Sequence, residues 1–223
     1  MRREQFAEGE FYHIYNHGVE ERDIFSEEYD SIRFLESMKM FNDEEPIGSI
    51  YEQSFIHDLE LGGEASKSNK KLVNIVAYCL NPNHFHLILE QISEKGISEF
   101  MHRLGGGYTM YYNNKHRHRG SLFRGVFRSI HVSTNEYLLH LSAYINLNDR
   151  VHQLGGEASK LIRTRWKEYT DSGIKLEDEM CEKDIILGQF KNKDEYKEYA
   201  EDALPIMLDR KKTEREERYL MIE

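Results

Sequence analysis

The 223-residue chain predicts an α+β fold: a ferredoxin-like, RRM-like antiparallel sheet with an added helix and a helical C-terminal extension. Three observations predict it. Apolar alternation with period two marks "FYHIYNHGV", "LVNIVAYCL" and "HFHLILE" as strands. Helical apolar spacing marks three intervening or following segments. The elements then fall in the order β-α-β-β-α-β-α, which is the split βαβ arrangement plus one helix.

The first strand ends at Gly18. "SEEYDSIRFLESMKMF" follows, with Ser26 as a helix start signal and Ile32, Phe34, Leu35, Met38 and Phe41 as its apolar positions. Residues 43–70 are polar, with one proline and several glycines, and read as a loop insertion. Strands at 71–79 and 84–90 are joined by a tight turn at Asn81-Pro82-Asn83. A helix from about Ser93 to Lys115 carries a disturbance signal at Gly105-Gly106-Gly107. "GSLFRGVFRSIHV" reads as a strand pair or bent strand, and a helix capped by Ser133 or Thr134 runs to about Asn148. Residues 1–152 thus form the main domain, and 153–223 a charged, mostly helical extension.

Composition limits the function. No run approaches the roughly 20 apolar residues of a membrane span, and "MRREQFAEGE" lacks a signal-peptide core. Cys79 and Cys181 have no metal spacing and no disulfide framework, so a reducing cytoplasm is expected. The net charge is −10. Yet residues 100–135 contain no acidic residue, while holding Arg103, Lys115, Arg117, Arg119, Arg124, Arg128 and four histidines. Without those six cations the chain has 24 basic to 40 acidic residues. A basic zone on an acidic protein is a footprint for phosphates, although a solvated helix face gives the same pattern. Tyr108, Tyr111 and Tyr112 lie inside this zone and suit either base stacking or the core.

"LGGEASK" occurs twice, at 61–67 and 154–160. The spacing supports no repeat architecture. Both copies read as loops, consistent with a short coding segment duplicated into tolerant positions.

The chemistry starts at His84 and His86. On a strand both point to one face, with Cα atoms roughly 6.5–7 Å apart. Two neutral imidazoles so placed can converge on a divalent ion, and a third ligand must come from elsewhere. "HLSAYINLNDRV" offers one: Asn148 has a carbonyl oxygen, and Tyr144 lies one helical turn before it. A tyrosine hydroxyl is a poor nucleophile unless deprotonated or presented to an activated electrophile, which a nearby ion supplies in part. On spacing alone, a core aromatic is the commoner occupant of position 144.

"YHIYNHG", "NPNHFHLIL", "GSLFRGVFRS" and "YINLN", in that order over roughly residues 8–152, resemble the single-tyrosine HUH transposases. The similarity is strongest to the REP-associated tyrosine transposases and their IS200-like cousins. That resemblance implies a metal (Mg²⁺ or Mn²⁺) held by His84, His86 and Asn148, with Tyr144 as nucleophile. It implies single-stranded or hairpin DNA as partner and a 5′-phosphotyrosine intermediate. Arg103, Lys115, Arg117, Arg119, Arg124, Arg128, Tyr108 and Tyr112 are the expected DNA contacts. The chain departs from the family pattern at Asp149, where proline usually follows the motif asparagine, and at His17, where arginine usually precedes the glycine. Dimer and monomer both stay open. So do two other readings: a non-catalytic RRM-like nucleic-acid-binding module, and a phosphodiesterase that uses water instead of Tyr144.

Overall fold

The computed structural model of the protein describes residues 5–45, 70–152, 157–171 and 180–220. The elements in order are β1 (Phe11–His17), α1 (Glu28–Met40), β2 (Val73–Asn81), β3 (His84–Gln91), α2 (Gly96–Lys115), β4 (Arg128–His131) and α3 (Asn135–Asn146). After them come α4 (Asn148–Val151), α5 (Glu157–Leu161), β5 (Arg163–Thr164), α6 (Trp166–Thr170), α7 (Asp184–Leu187) and α8 (Lys193–Leu220). The first seven realise the predicted order.

The sheet runs β4-β1-β3-β2-β5, with antiparallel pairing at every ladder. The first four strands have the ferredoxin-like order, in which β3 inserts between β1 and β2. The fold class is therefore α+β with an antiparallel sheet. The fifth strand was not expected. Two residues are too short for a periodicity signal, and Arg163 and Thr164 are placed by pairing with Leu80 and Cys79.

Local chemistry fixes the boundaries. Gly18 ends β1 because a Cβ there would lie 2.0 Å from the Arg22 carbonyl oxygen. At the start of α1 the cap is Glu27 rather than Ser26. Asp30 reaches back to the backbone N–H of Ser26 and Glu27, at 3.0 and 3.1 Å, completing a capping box. The second helix starts at Gly96, three residues later than predicted, because Lys95 takes a left-handed φ of 60°. It then runs unbroken through its three glycines. At Gly107 a Cβ would come within 2.7 Å of the Phe41 ring, so this glycine permits close packing of the helix. Thr134 caps α3 by accepting from the Tyr137 N–H at 3.2 Å. "GSLFRGVFRSIHV" forms a single short strand, β4, plus an isolated bridge from Phe123 to Gly18. The first "LGGEASK" copy lies outside the described residues. Of the second, Glu157–Lys160 sit in α5 rather than in a loop.

The sheet separates two apolar layers. On one side Ile14, Phe85, Leu87 and Leu89 pack with Phe34 and Met38 of α1 and Phe100, Leu104 and Tyr108 of α2. On the other, Ala77, Cys79 and Ile88 pack with Leu141 and Ile145 of α3, Tyr169 of α6 and Tyr196, Ala200 and Met207 of α8. The segment expected as a charged extension thus supplies the outer wall of the second core. Tyr169 donates to the Val76 carbonyl at 2.8 Å, and the Asn146 amide donates to the Tyr196 hydroxyl at 2.9 Å. Both cysteines are buried and free. Among the described residues no helix is long and apolar enough to cross a membrane.

Candidate active site

The β1–β3 register sets His17 opposite His84 and Tyr15 opposite His86. Directly paired residues project to the same side. His13, Tyr15 and His17 of β1 therefore join His84 and His86 on the face covered by α3. His13 Nε2 and His86 Nδ1 share a buried hydrogen bond of 2.9 Å. The His17 ring stacks on His84 at 4.9 Å between centroids, and the Tyr15 ring lies 5.8 Å from His86. The rings of His84 and His86 are 5.1 Å apart and nearly perpendicular.

The helical side comes from α3 and α4. The two are separated by Leu147, whose φ and ψ of −103° and 15° leave the helical region, so the predicted helix to Asn148 is interrupted one residue early. Tyr144, half-buried near the end of α3, meets the His86 ring edge to face at 5.8 Å. Asn148 opens α4 fully buried. The His152 backbone N–H donates to the Asn148 carbonyl at 2.9 Å, and the His152 ring lies 5.3 Å from His84.

One contact joins the two sides. The Asn81 amide nitrogen, at the end of β2, donates to Asn148 Oδ1 at 2.7 Å and to His84 Nε2 at 2.9 Å. The other ring nitrogen of His84, Nδ1, donates to Asn83 Oδ1 at 2.7 Å. His84 is thereby the Nδ1–H tautomer, with its Nε2 lone pair directed at the same donor as Asn148 Oδ1. Two polar atoms nearby are buried without a partner: Asn148 Nδ2 and His152 Nε2.

Burial keeps these imidazoles neutral. It lowers the His84 pKa to about 3, with smaller electrostatic contributions from His152, His17 and Lys211 that oppose its protonation. It lowers His13 to about 4. His152 also falls to about 4, through burial first and Lys211 second. His86 is pushed well below its ordinary value by burial and its four histidine neighbours. Neutral imidazoles with free lone pairs are the form that binds metal. Among the described residues no three His, Cys, Asp or Glu side chains form a metal-holding group by themselves. Asn148 supplies an amide oxygen, Oδ1, which shares the Asn81 donor with His84 Nε2.

The expected DNA contacts divide in two. Tyr108 is fully buried and donates to the Ile24 carbonyl at 2.6 Å. Tyr112 is buried and donates to the Asp23 carbonyl at 3.0 Å. Both belong to the core and present no face to a base, which corrects their expected role. Arg103 pairs with Glu99 at 2.8 Å and donates to the Asp43 carbonyl at 2.7 Å. Lys115 pairs with buried Asp30 at 2.8 Å and with Glu27 at 3.1 Å. The Asp30 carboxyl is raised by burial, but hydrogen bonds from Lys115, His116 and Tyr111 outweigh this and hold it below its ordinary value. Arg103 and Lys115 thus serve intramolecular pairs. Arg117, Arg119, Arg124 and Arg128 are exposed, and among the described residues their one ion pair is a surface contact of 3.9 Å from Arg124 to Glu21.

Sequence reasoning missed His13, Tyr15, His17, Asn81 and His152. The first three carried a signal: polar and aromatic residues at every second position of "YHIYNHG", a strand face that must be covered by something other than an apolar core. Asn81 and His152 carried none, because their place follows from tertiary contacts.

A family model described as "Transposase IS200 like" matches residues 64–148. No curated protein matches the chain. A solved structure, described as a REP-associated tyrosine transposase bound to a REP hairpin, superposes with a TM-score of 0.53 at 12% identity. The match covers 79% of this chain and 88% of that one. Residues 64–148 are thus similar to the IS200-like transposases, and most of the chain shares the fold of that REP-associated structure.

Proposed function

We propose that the protein is a divalent-metal-dependent DNA nicking and rejoining enzyme of the transposase type, acting on single-stranded DNA at hairpin-associated sites. The observation that carries this is the meeting of Tyr144 with His86, beside a site where His84 Nε2 and Asn148 Oδ1 converge. Mg²⁺ or Mn²⁺ held by His84, His86 and Asn148 would polarise the scissile phosphate.

The chain's own residues do the rest. His13 fixes the ring of His86 through its Nδ1, and Asn83 fixes His84 in the same way. Tyr144 loses its proton and its oxygen bonds to phosphorus. The bond from phosphorus to the 3′ oxygen breaks, and that oxygen takes up a proton. The product is a 5′-phosphotyrosine and a free 3′-hydroxyl. Attack by a 3′-hydroxyl reverses the step, so rejoining needs no ATP. Arg117, Arg119, Arg124 and Arg128 contact backbone phosphates, and their share of the affinity falls steeply with salt.

The test uses labelled single strands carrying hairpins from the gene's own flanks, incubated with Mg²⁺ or Mn²⁺. A denaturant-resistant protein–DNA adduct that disappears with chelator and in Tyr144→Phe is expected. Tight binding with neither adduct nor cleavage would favour a binding module. Cleavage that survives Tyr144→Phe would make water the nucleophile.

A further inference from the structure

Asn81 has no role in the reading above, yet it holds the most telling position in the site. It is fully buried at the last residue of β2, directly paired across the sheet with His84. Its amide end stands 2.9 Å from His84 Nε2 and 2.7 Å from Asn148 Oδ1 at once. For ligand bonds of about 2.1 Å, two ligands at a right angle around one ion are about 3 Å apart. The amide end of Asn81 therefore stands from both proposed ligand atoms as a third ligand of the same ion would.

We infer that Asn81 is a further metal ligand whose amide turns over when the ion binds. Without the ion, the NH₂ end faces the site and satisfies the lone pairs of His84 and Asn148. Two buried acceptors facing each other without a donor would each lose their hydrogen bond. With the ion, His84 Nε2 and Asn148 Oδ1 direct those lone pairs to it, and the NH₂ end has no acceptor left in the site. Rotation by 180° presents Oδ1, a carbonyl donor suited to Mg²⁺ or Mn²⁺. It turns the NH₂ end toward Cys79, whose Sγ lies 3.6 Å from Asn81 Oδ1 in the present arrangement. A thiol sulfur can accept weakly from the amide.

The inference rests on the metal reading, and the experiment separates the two. Mn²⁺ would be titrated into the full-length chain and the loss of the free-ion paramagnetic resonance signal followed, in the absence of DNA. His84→Ala is the reference. If His84→Ala binds Mn²⁺ as tightly as the wild type, the metal reading itself fails. Given that His84→Ala abolishes binding, Asn81→Leu is expected to weaken it by about tenfold or more, the scale of a lost site interaction. Asn81→Asp is expected to tighten it, since a carboxylate is a stronger ligand of the same shape. Unchanged or tighter binding in Asn81→Leu would overturn the inference, because Asn81 would then be only a donor competing with the ion. If Asn81→Leu does not fold, Asn81→Asp and a nitrogen-15 spectrum of the Asn81 side-chain amide decide the matter. That resonance, identified by its absence in Asn81→Asp, should shift on saturation with Mg²⁺. A resonance that stays fixed at saturation, or weaker binding in Asn81→Asp, would overturn the turnover of the amide.

Discussion

A histidine that binds a metal through one nitrogen is oriented by whatever holds the other, and the His13–His86 hydrogen bond is such a fixture. His13→Phe keeps the ring volume and removes the bond. It should weaken Mn²⁺ binding by about 10–100-fold and lower the melting temperature without metal by a few degrees, since His86 Nδ1 is left buried without a partner, as titration and calorimetry would show. The buried imidazoles also set a pH dependence. An unfolded histidine takes up its proton near pH 6.5, whereas folded His13 and His152 do so only near 4, and His84 near 3. Between these values the unfolded chain binds more protons than the folded one. Stability without metal is therefore full above about pH 6.5 and declines as pH falls toward 4. Urea midpoints measured from pH 7.5 to 4.5 should fall through that window, and a flat profile would show that these rings are solvated. Of the proposed residues at this scale, His84 and His86 stand out by period two, whereas Tyr144 and Asn148 were singled out by the resemblance, since their one-turn offset alone favours a core aromatic at 144. Tyr108 and Tyr112 were misjudged because proximity to basic residues in sequence says nothing about which helix face is covered.

Elements were legible where an apolar pattern was long enough to have a period. Three of the four principal strands and the three principal helices of the first 147 residues were so marked, while β4 was read only as part of a strand pair or bent strand. The exceptions are instructive. The glycine triplet in α2 looked like a break, yet Gly107 lies under Phe41 and the helix continues. A consequence can be measured. Gly107→Ala would press a methyl group into that ring and should cost about 1–3 kcal/mol. Gly106→Ala, with open space around its Cβ, should stabilise by about 0.5–1 kcal/mol through helix propensity. Denaturation midpoints of opposite sign would confirm the contrast. The break at Leu147 was not legible either, since Tyr144 to Asn148 reads as one continuous turn. It is set by packing of Ile145, Leu147 and Val151 into the second core.

At the scale of the molecule, helices α6, α7 and α8 close the face of the sheet opposite α1 and α2. Without them Leu141, Ile145 and Ile88 would lose Tyr169, Ile186, Tyr196 and Ala200 as neighbours. A chain ending at residue 152 should therefore be insoluble or molten, with near-ultraviolet circular dichroism lost and gel filtration showing aggregates. A soluble, cooperatively melting fragment would show instead that the first 152 residues are self-sufficient. This role was not visible in the sequence, where the segment's charge masked a few well-placed apolar residues. The same architecture carries the functional account: sheet, covering helix and α8 together bring Tyr144 and Tyr15 beside His86, next to His84 and a buried amide. The most direct test is to trap the protein on a labelled hairpin strand with Mn²⁺, digest the DNA and protein, and identify by mass spectrometry the residue that carries the nucleotide. A 5′-phosphate on Tyr144 is the expected result. A nucleotide on any other residue, or efficient cleavage with none attached, would contradict the account.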